Sequence, residues 1–162
     1  MSTTPVIRLE VLGTPAPKGS MRAFMTRGAN PRAVIATGGS KVNQQKLRSW
    51  DQSVRLAAAE VTQGRAAPVF VEVPINVQIL FRLARPAGHW GTRGLKPGAP
   101  TYPIVKPDGD KLTRATLDSM KGTIYDDDAR VVRKVVEKIY ADPGCEGATI
   151  EVSQVPDPRR NP

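Results

Sequence analysis

Two groups of aspartates lie close together in the second half of this chain. Asp108 and Asp110 are separated by Gly109, and three consecutive aspartates follow at 126–128. Carboxylate oxygens are the ligands that Mg²⁺ prefers, and a bound cation lets acidic residues face a phosphate that would otherwise repel them. In extended backbone the side chains at i and i+2 point the same way, so Asp108 and Asp110 could reach one ion. The spacing therefore predicts a divalent metal site.

A basic residue follows the pair at helical spacing. If a helix begins near Asp110, then Asp110, Arg114 and Asp118 lie along one stripe of it. Arg114 would then lie beside the metal site, where it could hold a phosphate or stabilise charge in the transition state. A D-x-D spacing alone is also typical of a solvated turn or a helix cap, so the metal site needs support from other parts of the chain.

The composition indicates what the partner is. The 162 residues contain 24 Lys and Arg against 15 Asp and Glu, a net charge of +9. Such a balance favours nucleic acid or an anionic membrane surface. No apolar run approaches the roughly 20 residues that span a bilayer. The first residues lack the basic and apolar regions of a secretory signal, and the single cysteine, Cys145, can form no internal disulfide. We expect a cytoplasmic protein that binds nucleic acid and no membrane.

Hydrophobic periodicity predicts the elements that must position these residues. The apolar spacing predicts strands at 7–11, 33–37, 69–83, 131–140 and 148–152, and helices at 43–63 and from 110 or 111 to 121. The segment at 131–140 also fits a helix by spacing, but its β-branched residues favour a strand. Residues 15–22 form a basic loop, and the Gly- and Pro-rich residues 85–103 predict a long exposed loop.

The order of these elements predicts a fold class. Strands and helices alternate without a repeat, which is typical of an α/β or α+β protein with a mixed β-sheet packed against two main helices. The length favours a single domain, which we place at 1–155. We predict that residues 156–162, which are rich in proline, form a disordered tail.

The segment from Lys106 to Tyr140 resembles the RusA family of Holliday-junction resolvases. The family pattern R/K-P-D-x-D-N-L-x-K corresponds to K-P-D-G-D-K-L-T-R at 106–114, and its L-D-x-L corresponds to L-D-S-M at 117–120. Its D-D-x-x-V-V corresponds to 127–132, and its strand ending in E-K to residues 137–138. The basic loop at 15–22 resembles the opening loop of the family. The resemblance implies the RusA-like fold for this chain.

The resemblance also implies roles for single residues. The metal-binding aspartates of the family fall on Asp108, Asp110 and Asp128, and its catalytic lysine falls on Arg114. Two positions depart from the pattern, because Lys111 replaces an asparagine and Arg114 replaces the lysine. Arginine keeps the charge but does not easily give up a proton. Arg114 would therefore suffice to neutralise phosphate and would be a poor proton donor.

As a whole, the resemblance implies an endodeoxyribonuclease that depends on Mg²⁺, with Mn²⁺ as an alternative ion. It would act as a homodimer that resolves four-way junction DNA by paired symmetric cuts in recombination and repair, in a bacterial or phage-infected cytoplasm. DNA contacts are predicted at Lys18, Arg22, Lys106 and Lys111. The apolar face of the strand at 69–83 offers a surface for the second subunit. Two other functions remain open, a metal-dependent nuclease for flaps or forks and a non-catalytic DNA-binding module.

Overall fold

The computed structural model describes residues 5–37 and 39–159, with the backbone alone for residues 21, 22, 36 and 37. Its elements follow one another as β1 (Val6–Leu12), β2 (Met21–Met25), β3 (Ala33–Thr37), α1 (Lys41–Val61), β4 (Ile75–Leu83), β5 (Trp90–Gly91), β6 (Gly94–Leu95), α2 (Gly109–Met120), β7 (Val131–Tyr140) and β8 (Gly147–Gln154). Short 3₁₀ turns lie at Ala87–His89 and Asp128–Arg130. The predicted strands at both ends of the chain and both helices are confirmed.

The main sheet has the strand order β1-β8-β4-β7. Strands β4 and β7 pair in parallel, whereas the other neighbours pair antiparallel. Parallel neighbours need a crossover connection, and α2 lies within it. The predicted mixed sheet with two main helices in one small domain is confirmed. Strands β2 and β3 form a separate ribbon.

The helices cover one face of the sheet. Alternate residues of β4 are buried on this face, from Ile75 to Leu83, and Trp50 of α1 packs against Phe81 with a centroid distance of 6.4 Å. The Trp50 indole N–H donates to the Thr116 hydroxyl at 3.1 Å, which joins α1 to α2. The predicted use of this apolar face by a second subunit is wrong, because the two helices already bury it. On the other face, Arg8, Glu10, Arg82 and Glu151 form ion pairs.

The strand predicted at 69–83 is shorter than expected, because β4 contains only 9 residues. The residues at 69–71 leave the sheet and pair with the turn before Asp126, where the Val69 and Phe70 amides both donate to the Ile124 carbonyl. The backbone of Glu72 has a positive φ of 52°, which ends the extended run, and β4 begins only after Pro74. The alternation of apolar residues at 69–73 predicted a strand of the main sheet, but Phe70 is buried against this turn instead.

The Gly- and Pro-rich segment is exposed along most of its length, as predicted, but its middle is not an irregular loop. Strands β5 and β6 form a small hairpin there. The His89 ring lies edge-on to Tyr140 at 5.1 Å, which holds the hairpin against the end of β7. Within the described residues, neither helix has the length and apolar composition needed to cross a membrane. The disordered tail stays a prediction, and residues 160–162 lie outside the described part of the chain.

Candidate functional site

The start of α2 carries the first pair of aspartates. Asp108 is the N-cap residue, and its extended backbone leads into a helix that begins at Gly109. Asp110 therefore lies in the first helical turn, and the extended i, i+2 geometry predicted for the pair is wrong. The Asp108 carboxylate makes no capping hydrogen bond and lies 3.4 Å from the Lys111 ammonium. Both aspartates are exposed, so their oxygens are available to a ligand.

Strand β7 holds this helix start in place. The Lys138 ammonium, on the strand beside it, donates to the carbonyls of Val105 at 3.3 Å and Pro107 at 3.1 Å. A Cβ at Gly109 would lie 3.9 Å from Val136, so the helix begins in close contact with the strand. Arg114 follows one turn after Asp110 and is also exposed, as the helical stripe predicts.

The three consecutive aspartates lie at the entrance to β7, and each has a different environment. Asp126 pairs with Arg130 at 3.0 Å. Asp127 caps the 3₁₀ turn by accepting from the Ala129 amide at 2.9 Å, and the Lys121 ammonium lies 3.2 Å from its other oxygen. Lys121 also approaches Asp128 at 3.6 Å. The Ala129 amide, Asp128 and Lys121 together lower the pKa of Asp127 to about 2.

Tyr125 lies between the three consecutive aspartates and α2. Its hydroxyl donates to the Leu117 carbonyl at 2.8 Å, inside the helix. Burial raises the pKa of Tyr125, and the carboxylates of Asp128 and Asp118 raise it further. Asp118 in turn pairs with Lys18 of the loop after β1. Asp118 of α2 and Asp128 therefore both lie near the Tyr125 hydroxyl.

The predicted metal ligands fit a hard cation by chemistry, since Asp108, Asp110 and Asp128 are exposed carboxylates. The structure does not bring them together, because no three His, Cys, Asp or Glu side chains of the described residues form a group that could hold one ion. Lysines lie against two of the three carboxylates instead, Lys111 at Asp108 and Lys121 at Asp128.

A cleft of about 520 Å³ opens beside Asp108. It collects residues that are distant in sequence, because the Lys18 amide donates to the Lys111 carbonyl at 3.1 Å and ties the 13–19 loop to α2. Its apolar lining includes Pro15, Pro17 and Leu47. Its charged lining consists of four lysines and one aspartate: Lys18, Lys46, Lys106, Lys111 and Asp108. Three of the four predicted DNA contacts thus meet in one place. The side chain of the fourth, Arg22, lies outside the described part of the chain.

Two lysines of the site were not predicted. Lys46 reaches the cleft from the first turns of α1, which Ser40 caps by accepting from the Asn43 amide at 3.3 Å. The sequence predicted α1 from the spacing of its apolar residues. Which polar side chains of α1 lie near α2 depends on how the two helices pack, and the sequence does not show that packing. Lys121 could have been found, because it precedes the Gly122 turn that returns the chain toward the three aspartates.

Comparison with known proteins identifies the family of this chain. None of the curated proteins compared with the chain matches it. The family model described as Endodeoxyribonuclease RusA matches residues 23–153, which include both groups of aspartates, Arg114 and Lys121. Lys18 and Arg22 precede the matched region. Because the match extends over most of the sequence, the chain belongs to the RusA family of endodeoxyribonucleases.

Proposed function

We propose that this protein is a Mg²⁺-dependent endonuclease that resolves four-way junction DNA by paired symmetric cuts as a homodimer. The family is one of Holliday-junction resolvases, nucleases that are generally metal-dependent. The cleft supports the proposal most directly, since it combines four lysines with Asp108. A basic cleft can bind the DNA backbone whatever its sequence, and a cation bound at Asp108 would offset the repulsion between this carboxylate and phosphate.

The metal would be held by Asp108, Asp110 and Asp128. When bound, a divalent ion would supply Lewis-acid activation of water and would neutralise charge on the scissile phosphate. Lys111 and Lys121 now neutralise two of these carboxylates, at 3.4 Å and 3.6 Å. Each of these lysines is held only by exposed ion pairs that contribute little energy, so its ammonium group would be able to turn toward phosphate if a cation took its place.

Arg114 would act on the phosphate itself. It lies one helical turn after Asp110 and is exposed. Its guanidinium can hold a phosphate oxygen by two parallel hydrogen bonds, which also stabilises the charge that develops in the transition state. Because arginine stays protonated, Arg114 would not supply the proton that the leaving oxygen takes up.

The cleft lysines divide into two kinds. Lys18 is paired with Asp118 and Lys111 with Asp108, so part of the charge of each is neutralised within the protein. Lys46 and Lys106 have no acidic partner among the described residues. Their whole charge is therefore available to the DNA backbone.

The proposal is tested by offering the protein a synthetic four-way junction, a flap, a fork and a linear duplex, with and without Mg²⁺. We expect symmetric cuts in the junction alone, ends that ligase can seal, and no product without the cation. Light scattering should give about twice the chain mass of 17.5 kDa. Preferred cutting of flaps or forks would favour the second type of nuclease. Junction binding without any cutting would indicate a DNA-binding module.

Replacing Lys46 or Lys106 by alanine should weaken binding to junctions of every sequence. Each lysine that contacts one phosphate releases about one counterion, so each variant should lower the slope of log K against log salt by about 0.9. Binding titrations between low and moderate salt measure this slope. Arg48→Ala is the matched control, because Arg48 is exposed on the same helix but does not line the cleft. Equal slopes for Lys46→Ala and Arg48→Ala would remove Lys46 from the interface.

A further inference from the structure

The segment just before the first aspartates exposes apolar side chains to solvent. We refer to residues 101–107 as the ridge. Ile104 is 96% exposed, more than any other large apolar side chain of the described residues, and Tyr102 and Val105 are 58% and 57% exposed. Single exposed apolar residues are ordinary on protein surfaces. Three within four positions, next to residues of the site, indicate a contact that the isolated chain does not make.

The ridge is held firmly at both ends. The Tyr140 amide donates to the Thr101 carbonyl at 2.9 Å, and Lys138 donates to the carbonyls of Val105 and Pro107. Pro103 is buried between these anchors. Since β7 supports the backbone on each side, Ile104 is presented in one place, and binding costs little additional conformational entropy.

The size of the apolar patch limits the kind of partner that can bind to it. A stable protein partner needs roughly 800 Å² of contact on each side, and three side chains fall well short of that area. One aliphatic side chain has the size of the wedges that DNA-binding proteins insert between base steps. Lys106, two residues after Ile104, lines the cleft, and Asp108 follows it there. A DNA strand that enters the cleft therefore passes the ridge.

We propose that Ile104 is a wedge that inserts between base pairs at the branch point of a DNA junction and directs one strand toward Asp108. The inference rests on the proposed function. At a branch point, the terminal base pairs of each arm have lost part of their stacking, so inserting a side chain costs less there than inside a duplex. Such a wedge would favour branched over linear DNA, which the phosphate contacts of the cleft lysines cannot do.

The test uses a four-way junction with 2-aminopurine at the branch point, bound without Mg²⁺ so that no strand is cut. The fluorescence of this base rises when it loses its stacking neighbour. We expect a rise with the wild-type protein and with Ile104→Leu, and little or none with Ile104→Ala. We expect the preference of Ile104→Ala for junction over duplex to fall about tenfold, which corresponds to part of the unstacking energy of one step. Leu56→Ala is the matched control, since Leu56 is 64% exposed on α1.

The outcomes separate the wedge from the proposed function. If the wild-type protein cuts the junction and Ile104→Ala still raises the fluorescence, the wedge is wrong and the resolvase stands. If the wild-type protein neither binds nor cuts the junction, both are wrong. If light scattering shows that Ile104→Ala alone loses a dimer, the ridge is a subunit contact and the wedge is again wrong. Thermal melting checks the fold, which should be unaffected because Ile104 contributes almost nothing to the core.

Discussion

Asp110→Asn is expected to abolish DNA cleavage while junction binding is kept or tightened. The substitution preserves the shape of the side chain but removes the charge that a divalent ion needs. Losing one such electrostatic group typically lowers the rate on the order of 100- to 1,000-fold. Binding should not fall, because removing a negative charge reduces the repulsion of phosphate. Single-turnover cleavage and a binding titration in the absence of the ion measure the two effects separately.

Asp110 is the cleanest of the three aspartates to test. It is exposed and pairs with no basic residue of the described chain, whereas Asp108 and Asp128 are paired with lysines. Its substitution should therefore lower the free energy of unfolding by less than about 1 kcal/mol, the contribution of a carboxylate in the first turn of a helix. Glu60→Gln provides the matched control, since it makes the same change from carboxylate to amide near the far end of α1. Full cleavage activity in Asp110→Asn would exclude this residue as a metal ligand.

Gly147→Ala is expected to destabilise the fold severely. Gly147 begins β8 with φ of 155° and pairs with Leu12 of β1 on one side and Arg82 of β4 on the other. An added Cβ would lie 1.9 Å from the Val11 carbonyl oxygen. That oxygen belongs to the backbone of a paired strand, so the clash can be relieved only by moving β1. We expect a loss of about 3–5 kcal/mol in the free energy of unfolding, near the upper end for single substitutions.

Urea unfolding of the two proteins checks this expectation through the shift of the midpoint at constant m value. Gly88→Ala is the control, because nothing lies within 4 Å of a Cβ at that position and its φ is not positive. It should change stability by less than about 0.5 kcal/mol. A similarly small change for Gly147→Ala would mean that β1 and β8 are not paired as described.

Local periodicity predicted the elements correctly where one face of an element is buried. Both helices and β7 follow from spacing and β-branched content, and the Gly122 stop agrees with its φ of 85°. The strand prediction failed at 69–73, because apolar and polar residues alternate in any extended segment with one buried face, whether it pairs with a sheet or with a turn. The site was predicted as separate motifs. That Lys46 joins Lys106 and Asp108 depends on α1 packing against α2, which no local pattern contains.

The lysines beside the aspartates have a consequence for folding. Like charges gathered in one place raise the free energy of a folded chain, and many metal sites fold only when the ion is present. Here Lys111 and Lys121 act as internal counterions for Asp108, Asp127 and Asp128. These pairs reduce the repulsion among the aspartates when no ion is bound. We therefore expect the protein to fold and to bind DNA without an added divalent ion.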